Sequence, residues 1–224
     1  LQIFFDQLFP LRCVGCGRMG RSLCADCAHL LPHLEGNLCP GCSRPLGTNG
    51  GCQPCRTWPL TIEIHAPFQF QGVMRQAIHE LKYRNHRSLA VPLGELLFDY
   101  WRSHTLSGDV LVPIPLHRAK LRSRGYNQSE LLARELGKRG GLPVVTSALT
   151  RKKNTVPQVR TASIEERWAN AAGAFECSSS ILQGKRVVLL DDVCTTGATL
   201  DAAARSIVSA GASSVWGLTV ARDV

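Results

Sequence analysis

The sequence predicts an α/β protein in which a mainly parallel sheet flanked by helices follows a small cysteine-rich module. Three observations carry this. Val187 to Leu190 is an apolar run of the kind buried on both faces of a parallel sheet, and a short polar loop takes it into an Ala-rich stretch with helical spacing, Leu200 to Ser209. Asp109 to Pro115, DVLVPIP, reads as a second buried strand, with a helix starting beyond it at about Asn127. Eight of the ten cysteines lie in the first 55 residues as four C-x-x-C pairs: Cys13/Cys16, Cys24/Cys27, Cys39/Cys42 and Cys52/Cys55.

Composition sets the outer limits. At 224 residues the chain is long for one small domain and short for two large ones, and the expected division is a helix plus cysteine module over 1–58 and an α/β domain over 59–224. A hydrophobic fraction of 44% is ordinary for a globular protein, and no apolar run approaches membrane-span length. The first residues, LQIFFDQLFP, lack the basic start of a signal peptide, so the expected location is cytoplasmic. The formal charge of +9 counts every cysteine as neutral, whereas zinc on four thiolates carries about −2. Residues 1–58 hold five Arg against three acidic residues, so two such sites make that segment acidic and bring the whole chain to about +5. The basic surface belongs to residues 59–224.

In chain order, residues 1–10 read as a short amphipathic helix that packs on the next module. In residues 11–58 each C-x-x-C turn places two thiolates on one knuckle, and two knuckles complete a tetrahedral shell, which suits two structural zinc ions. The segment has too few large apolar residues to fold without metal. Gaps of seven, eleven and nine residues allow sequential pairing (Cys13, Cys16, Cys24, Cys27; then Cys39, Cys42, Cys52, Cys55) or an interleaved cross-brace. Four copies outside a thioredoxin-like βαβ context argue against redox chemistry, and His29 and His33 are expected to face solvent. A linker at 57–62 leads to a strand, Glu63 to Phe70, and a helix over 73–86 whose basic end (Lys82, Arg84, His86, Arg87) reads as a solvated face or, next to a polyanion site, as a ligand contact. A second helix covers about Leu89 to Trp101. After DVLVPIP a basic loop carries His117, Arg118, Lys120, Arg122 and Arg124, and the helix from Asn127 turns Leu131, Leu132 and Leu136 inward and stops at Gly140-Gly141. Residues 150–176 are polar, which suits a surface loop or a mobile loop closing over a ligand, with helix from Ser163 onward. A last strand is expected over Ser214 to Val220.

Chemistry concentrates in Lys185 to Leu200, KRVVLLDDVCTTGATL. Backbone N–H groups of Thr195-Thr196-Gly197-Ala198-Thr199, together with the partial positive charge of the following helix start, form an anion cradle. The adjacent carboxylates Asp191 and Asp192 suit a sugar phosphate: the loop and its hydroxyls take the phosphate, and the acids accept from ribose hydroxyls. The spacing is not that of a Walker loop. The run D-D-V-x-T-T-G-x-T between strand and helix resembles the phosphoribosyl pyrophosphate (PRPP) motif of type I phosphoribosyltransferases. The whole pattern, four C-x-x-C knuckles, VPIPLH…RGYNQ, TVPQVR…ER…N…GAF and VVLLDDVCTTGATL, resembles the ComF/GntX family of competence-associated, phosphoribosyltransferase-like proteins.

That resemblance implies a double zinc ribbon joined to a type I phosphoribosyltransferase fold, with Mg²⁺ accompanying PRPP. It implies Asp191 and Asp192 as catalytic and ribose-binding residues, Thr195, Thr196, Gly197, Ala198 and Thr199 around the 5′-phosphate, and His117, Arg118, Arg122 and Arg124 at the pyrophosphate. It also implies DNA uptake in natural transformation, with single-stranded DNA and a helicase-like competence protein as partners. Two functions stay open from sequence: pentosyl transfer to an acceptor the sequence does not identify, or a catalytically silent module that senses PRPP or tracks single-stranded DNA through the basic residues at 82–87, 118–124 and 151–160, with Tyr83, Tyr126 and Trp168 as stacking candidates. A third reading has the zinc module docking a protein partner. A homodimer and a monomer are both compatible with the sequence.

Overall fold

The computed structural model describes residues 11–47, 50–153, 163–178 and 180–224. The helix expected over 1–10 and the middle of the polar stretch expected to close over a ligand lie outside these residues. No helix among those described is long and apolar enough to cross a membrane.

Within the cysteine module α1 spans Ala25–His29 and α2 spans Gln53–Thr57. Beyond it come β1 (Ile64–His65), β2 (Phe68–Gln69), α3 (Gly72–Tyr83), α4 (Ala90–Ser103), β3 (Val110–Pro113), α5 (Arg118–Arg124) and α6 (Gln128–Gly140). Next are β4 (Leu149–Arg151), α7 (Ile164–Ala171), β5 (Phe175–Cys177), β6 (Arg186–Cys194), α8 (Ala198–Ser209) and β7 (Ser214–Arg222). The main sheet is parallel in the order β1-β7-β6-β3, with β2 also pairing with β7. β4 and β5 form a separate antiparallel pair.

Side-chain alternation along β6 builds the two faces. Val188 and Leu190 join Leu218 and Val220 of β7 under α3, α4 and α6, while Val187 and Leu189 pack with Ala203, Ala204 and Ile207 of α8 on the other face. α3 buries Met74, Ala77, Ile78 and Leu81, as its helical spacing requires, and α6 buries Leu132, Ala133 and Leu136.

Two local expectations change. The single strand over Glu63 to Phe70 is two short strands, because Pro67 has no N–H for the ladder; its carbonyl instead accepts from Leu34 N of the cysteine module at 2.8 Å. The basic segment after β3 is a helix, α5, rather than a loop. His117 Nδ1 accepts from Ala119 N at its start, and Gly125, in the left-handed region at φ 79°, ends it.

The cysteine module is stitched along the β1–β2 edge. Ile64 N donates to Gly41 O (3.0 Å), Ser43 Oγ to Ile64 O (2.8 Å), and Gln69 N to Pro32 O (2.7 Å). This edge places the second pair of knuckles beside the carboxyl ends of β6 and β7, where open α/β sheets bind their ligands.

Candidate functional site

β6 continues past its apolar run to Cys194, so Asp191 and Asp192 lie within the strand rather than after it. The first residues of α6 meet them. Asn127 caps this helix, accepting from Ser129 N (3.1 Å) and donating to Ile114 O (3.0 Å), which fixes its start against the end of β3. Ser129 Oγ then donates to Asp191 Oδ1 (2.7 Å) and Gln128 Nε2 to Asp192 Oδ1 (3.2 Å). Asp192 N also donates to Asp191 Oδ1 (2.9 Å). From the last turn of α3, Lys82 Nζ forms an ion pair with Asp192 Oδ2, and Arg124 donates to Gln128 Oε1.

These partners give the two acids opposite protonation behaviour. Burial, reinforced by the charge of Asp192, raises the Asp191 carboxyl to about 7. Burial pushes Asp192 the same way, but the Lys82 ammonium with the hydrogen bonds from Lys82, Asp191 and Gln128 takes it below its ordinary range. Burial also opposes charge on Lys82, and Asp192 overrides it, so the lysine stays protonated. Asp192 is thus a fixed, 2% exposed carboxylate, and the half-buried Asp191 is the member whose charge changes near neutrality.

The loop after β6 turns tightly into α8. Gly197 occupies the N-cap position at φ 89°, and a Cβ there would lie 2.8 Å from Leu60 Cδ2. Ala198 N donates to Thr196 Oγ1 (3.3 Å). The Thr195 carbonyl is held from outside by Arg44 Nη2 (3.0 Å), a residue of the cysteine module. The linker is pinned to the same helix: Thr61 donates to Asp201 Oδ1 through N (2.6 Å) and Oγ1 (2.7 Å), and Arg205 Nε donates to Asp201 Oδ2 (2.7 Å). Thr195, Thr196 and Thr199 are half-buried.

On the basic side the structure separates the expected residues. Arg124 joins the acid pair through Gln128 and lies over the Tyr83 ring at 5.2 Å, Arg118 and Arg122 are exposed on α5, and His117 is used as a cap. Lys120 and Arg151 belong with them. Burial lowers Lys120, with Arg124, Lys82 and Arg151 adding to the effect, and burial lowers Arg151 against the opposing charge of Asp191. Sequence reasoning missed Gln128 and Ser129 and read the helix end carrying Lys82 as a solvated face or a ligand contact, not as the partner of Asp192. Lys82 is four residues beyond Ile78 and adjacent to Leu81, at the edge of the buried stripe of α3; that spacing was the available signal.

The cysteines group sequentially, as Cys13, Cys16, Cys24, Cys27 and as Cys39, Cys42, Cys52, Cys55, with all sulfurs of a group within 4.8 Å of one another. Sγ–Sγ separations of 3.6 Å (Cys13–Cys24, Cys42–Cys52) to 3.8 Å (Cys39–Cys55) fit tetrahedral thiolate sites, and both clusters fit structural zinc. A second observation supports metal at the second cluster: Arg44 Nε and Arg222 Nε are buried beside it without hydrogen-bond partners. His29 and His33 are exposed and outside both clusters. Cys194 is buried, its thiol pushed up to about 11 by burial.

Of the stacking candidates, Tyr126 is buried and donates to Leu81 O, and Trp168 stacks on Trp58 with centroids 5.6 Å apart. Tyr83 is 65% exposed. A cavity of about 820 Å³ lined by Trp58, Trp168, Phe175 and Ala202 lies against α7, β5 and α8, and none of its lining residues belongs to the acid pair or the basic segment.

Comparison with known proteins follows this division of the chain. A family model described as a double zinc ribbon domain matches residues 4–56, and one described as a phosphoribosyl transferase domain matches residues 102–222. Competence protein ComFC of Bacillus subtilis is 26% identical over 98% of this chain and 92% of its own length. Competence protein F of Haemophilus influenzae is 27% identical over 87% of this chain and 95% of its own. DNA utilization protein YhgH of Escherichia coli is 28% identical over 86% of this chain and 87% of its own.

Proposed function

The chain belongs to the phosphoribosyltransferase family, in the ComF/GntX group that carries a double zinc ribbon, and from that premise we propose that it binds PRPP with Mg²⁺ and serves DNA uptake on the cytoplasmic side. The observation that carries the reading is the junction of β6 and α8: a carboxylate pair leads into a hydroxyl-lined loop at a helix start, with Lys120 and Arg151 within electrostatic reach of the acids and Arg124 joined to them through Gln128. The loop from Thr195 to Thr199 takes the 5′-phosphate. Asp191 has the freer carboxylate and accepts from the ribose hydroxyls, while Asp192, locked by Lys82 and Gln128, fixes the negative potential beneath the sugar. His117, Arg118, Arg122 and Arg124 lie on the pyrophosphate side.

Carboxylate oxygens are the donors that Mg²⁺ prefers, so Asp191 with Asp192 would hold it; the ion would neutralise the pyrophosphate as it leaves. Loss of pyrophosphate leaves positive charge on the sugar ring, which the two acids stabilise. Phosphoribosyl transfer then needs only an acceptor.

Thermal unfolding with PRPP and Mg²⁺ tests binding. Stabilisation of the wild-type chain that is strongly reduced in Asp191→Asn is expected; no stabilisation, or equal stabilisation of the variant, refutes it. The second reading is a DNA-tracking module without turnover, favoured by the exposed Tyr83 carrying Arg124 beside Lys82 and by the names of the relatives. Steady pyrophosphate release on adding nucleobases, amines or DNA selects the enzyme. No release, with single-strand binding that falls steeply with salt, selects the module.

A further inference from the structure

The two cysteine clusters are not equivalent. The first packs on α3, where a Cβ on Gly15 would approach Val73 Cγ1 at 3.1 Å, and its neighbouring cation Arg18 pairs with Asp26 in solvent at 2.7 Å. The second reaches the ligand loop. Its knuckle is closed by Ser43 N and Arg44 O, which bond Cys39 O and Cys39 N respectively at 2.8 Å, and Ser43 adopts φ 54° to turn the chain. That turn sends Arg44 out of the knuckle, where its Nη2 donates to Thr195 O (3.0 Å) and Asp223 O (3.3 Å). From the other side Arg222, at the end of β7 and 1% exposed, donates to Cys194 Sγ and acts electrostatically on Cys42. Arg44, Cys55, Trp58, Trp168, Thr196 and Arg222 line one narrow cavity of about 10 Å³.

Neither guanidinium has a carboxylate partner among the described residues, and burial keeps the Cys194 thiol protonated, so the buried Arg222 and the half-buried Arg44 stand without a carboxylate counter-charge among those residues. Zinc on the four thiolates of Cys39, Cys42, Cys52 and Cys55 supplies about two negative charges, which balances them. Metal, knuckle, two arginines and loop then form one electrically neutral unit.

We propose that Arg44, backed by Arg222, is a positioning residue through which the second zinc ribbon, and not the first, sets the Thr195–Gly197 loop for its ligand. The statement about ligand rests on the sugar-phosphate reading of that loop; the statement about loop order does not. The zinc-loaded full chain is compared as wild type, Arg44→Gln, Arg44→Lys and, on the first cluster, Arg18→Gln. Zinc content, amide hydrogen exchange over Thr196–Thr199 and affinity for PRPP with Mg²⁺ are measured. In Arg44→Gln, loop amides are expected to exchange faster and PRPP to bind more weakly, each by roughly 10- to 100-fold, as for lost outer-shell partners of a metal site. Arg44→Lys recovers part of both, and Arg18→Gln changes neither. Faster loop exchange supports the coupling whether or not Arg44→Gln keeps its second zinc. Unchanged loop exchange in that variant, or an equal rise in Arg18→Gln, overturns it. Wild type that does not bind PRPP, with the exchange difference intact, refutes the sugar-phosphate reading and leaves the coupling standing.

Discussion

Replacing Lys82 by Met removes the cation that, among the described residues, pairs with Asp192, while keeping the length and apolar stem that α3 packs. The Asp192 side chain is 3% exposed and that of Lys82 21%. Removing one partner of a buried pair costs about 3–5 kcal/mol, since the other charge stays desolvated; the partial exposure of Lys82 and the surviving bond from Gln128 place this case near 3 kcal/mol. For a chain of 224 residues that is a fall in Tm of roughly 6–12 °C at pH 8. The loss must depend on pH. In the wild type Asp192 titrates below its unfolded value, so its stabilisation is present above about pH 4 and is constant across the neutral range. Without Lys82, burial raises its carboxyl above the unfolded value, the folded state binds the proton, and the variant regains stability as pH falls. Thermal unfolding at pH 8 and 5.5 should show the gap to wild type narrowing toward acid, and Lys82→Met/Asp192→Asn should recover most of it at pH 8. A gap of constant size, or a double variant as unstable as the single one, refutes the charge argument and leaves packing as the role of Lys82.

Two other outcomes follow from the same site. Asp191, raised to about 7, stabilises the fold fully below about pH 4, and that contribution is lost as pH rises through about 7; its ionised form is the one that serves metal and ribose, so PRPP with Mg²⁺ should bind about tenfold more tightly at pH 8 than at pH 6, and Asp191→Asn should flatten the profile in calorimetric titration. Gly197→Ala puts a side chain at φ 89° and against Leu60, which should cost about 2 kcal/mol and lower both Tm and ligand-induced stabilisation; a variant with wild-type values would show that the loop relaxes freely.

The parts of the fold legible in the sequence are those written as periodicity or fixed spacing. Val187 to Leu190 reads as a strand because both of its faces are apolar, and α3 reads as a helix because Ala77, Ile78 and Leu81 share a face. The cysteine pairs announce two metal sites, but spacing alone cannot choose between pairings that bring the same knuckles together in different order; the three-dimensional path does. α5 was not legible because it buries no residue: a basic run without an apolar stripe reads as a loop, and only the His117 cap and Gly125 define it. The acid motif named two residues of the site, while the lysine, glutamine and serine that decide their charges arrive from α3 and α6, the nearest of them, Ser129, at a separation of 62 residues from Asp191. Local pattern carries no information about such tertiary meetings.

The edge that joins the cysteine module to the sheet has a consequence for the order of assembly during synthesis. Within the parallel sheet β1 and β2 pair with β7, through Ile64↔Gly217 and Phe68↔Ala221, so the earliest-made strands have no parallel neighbour until the latest-made one appears. About 150 residues separate them, on the order of 10–30 s of translation at 5–20 residues per second. The zinc knuckles and the β1–β2 edge they are stitched to are both made long before β7. A nascent chain therefore carries the cysteine module beside an edge whose other side stays unpaired until β7 is made.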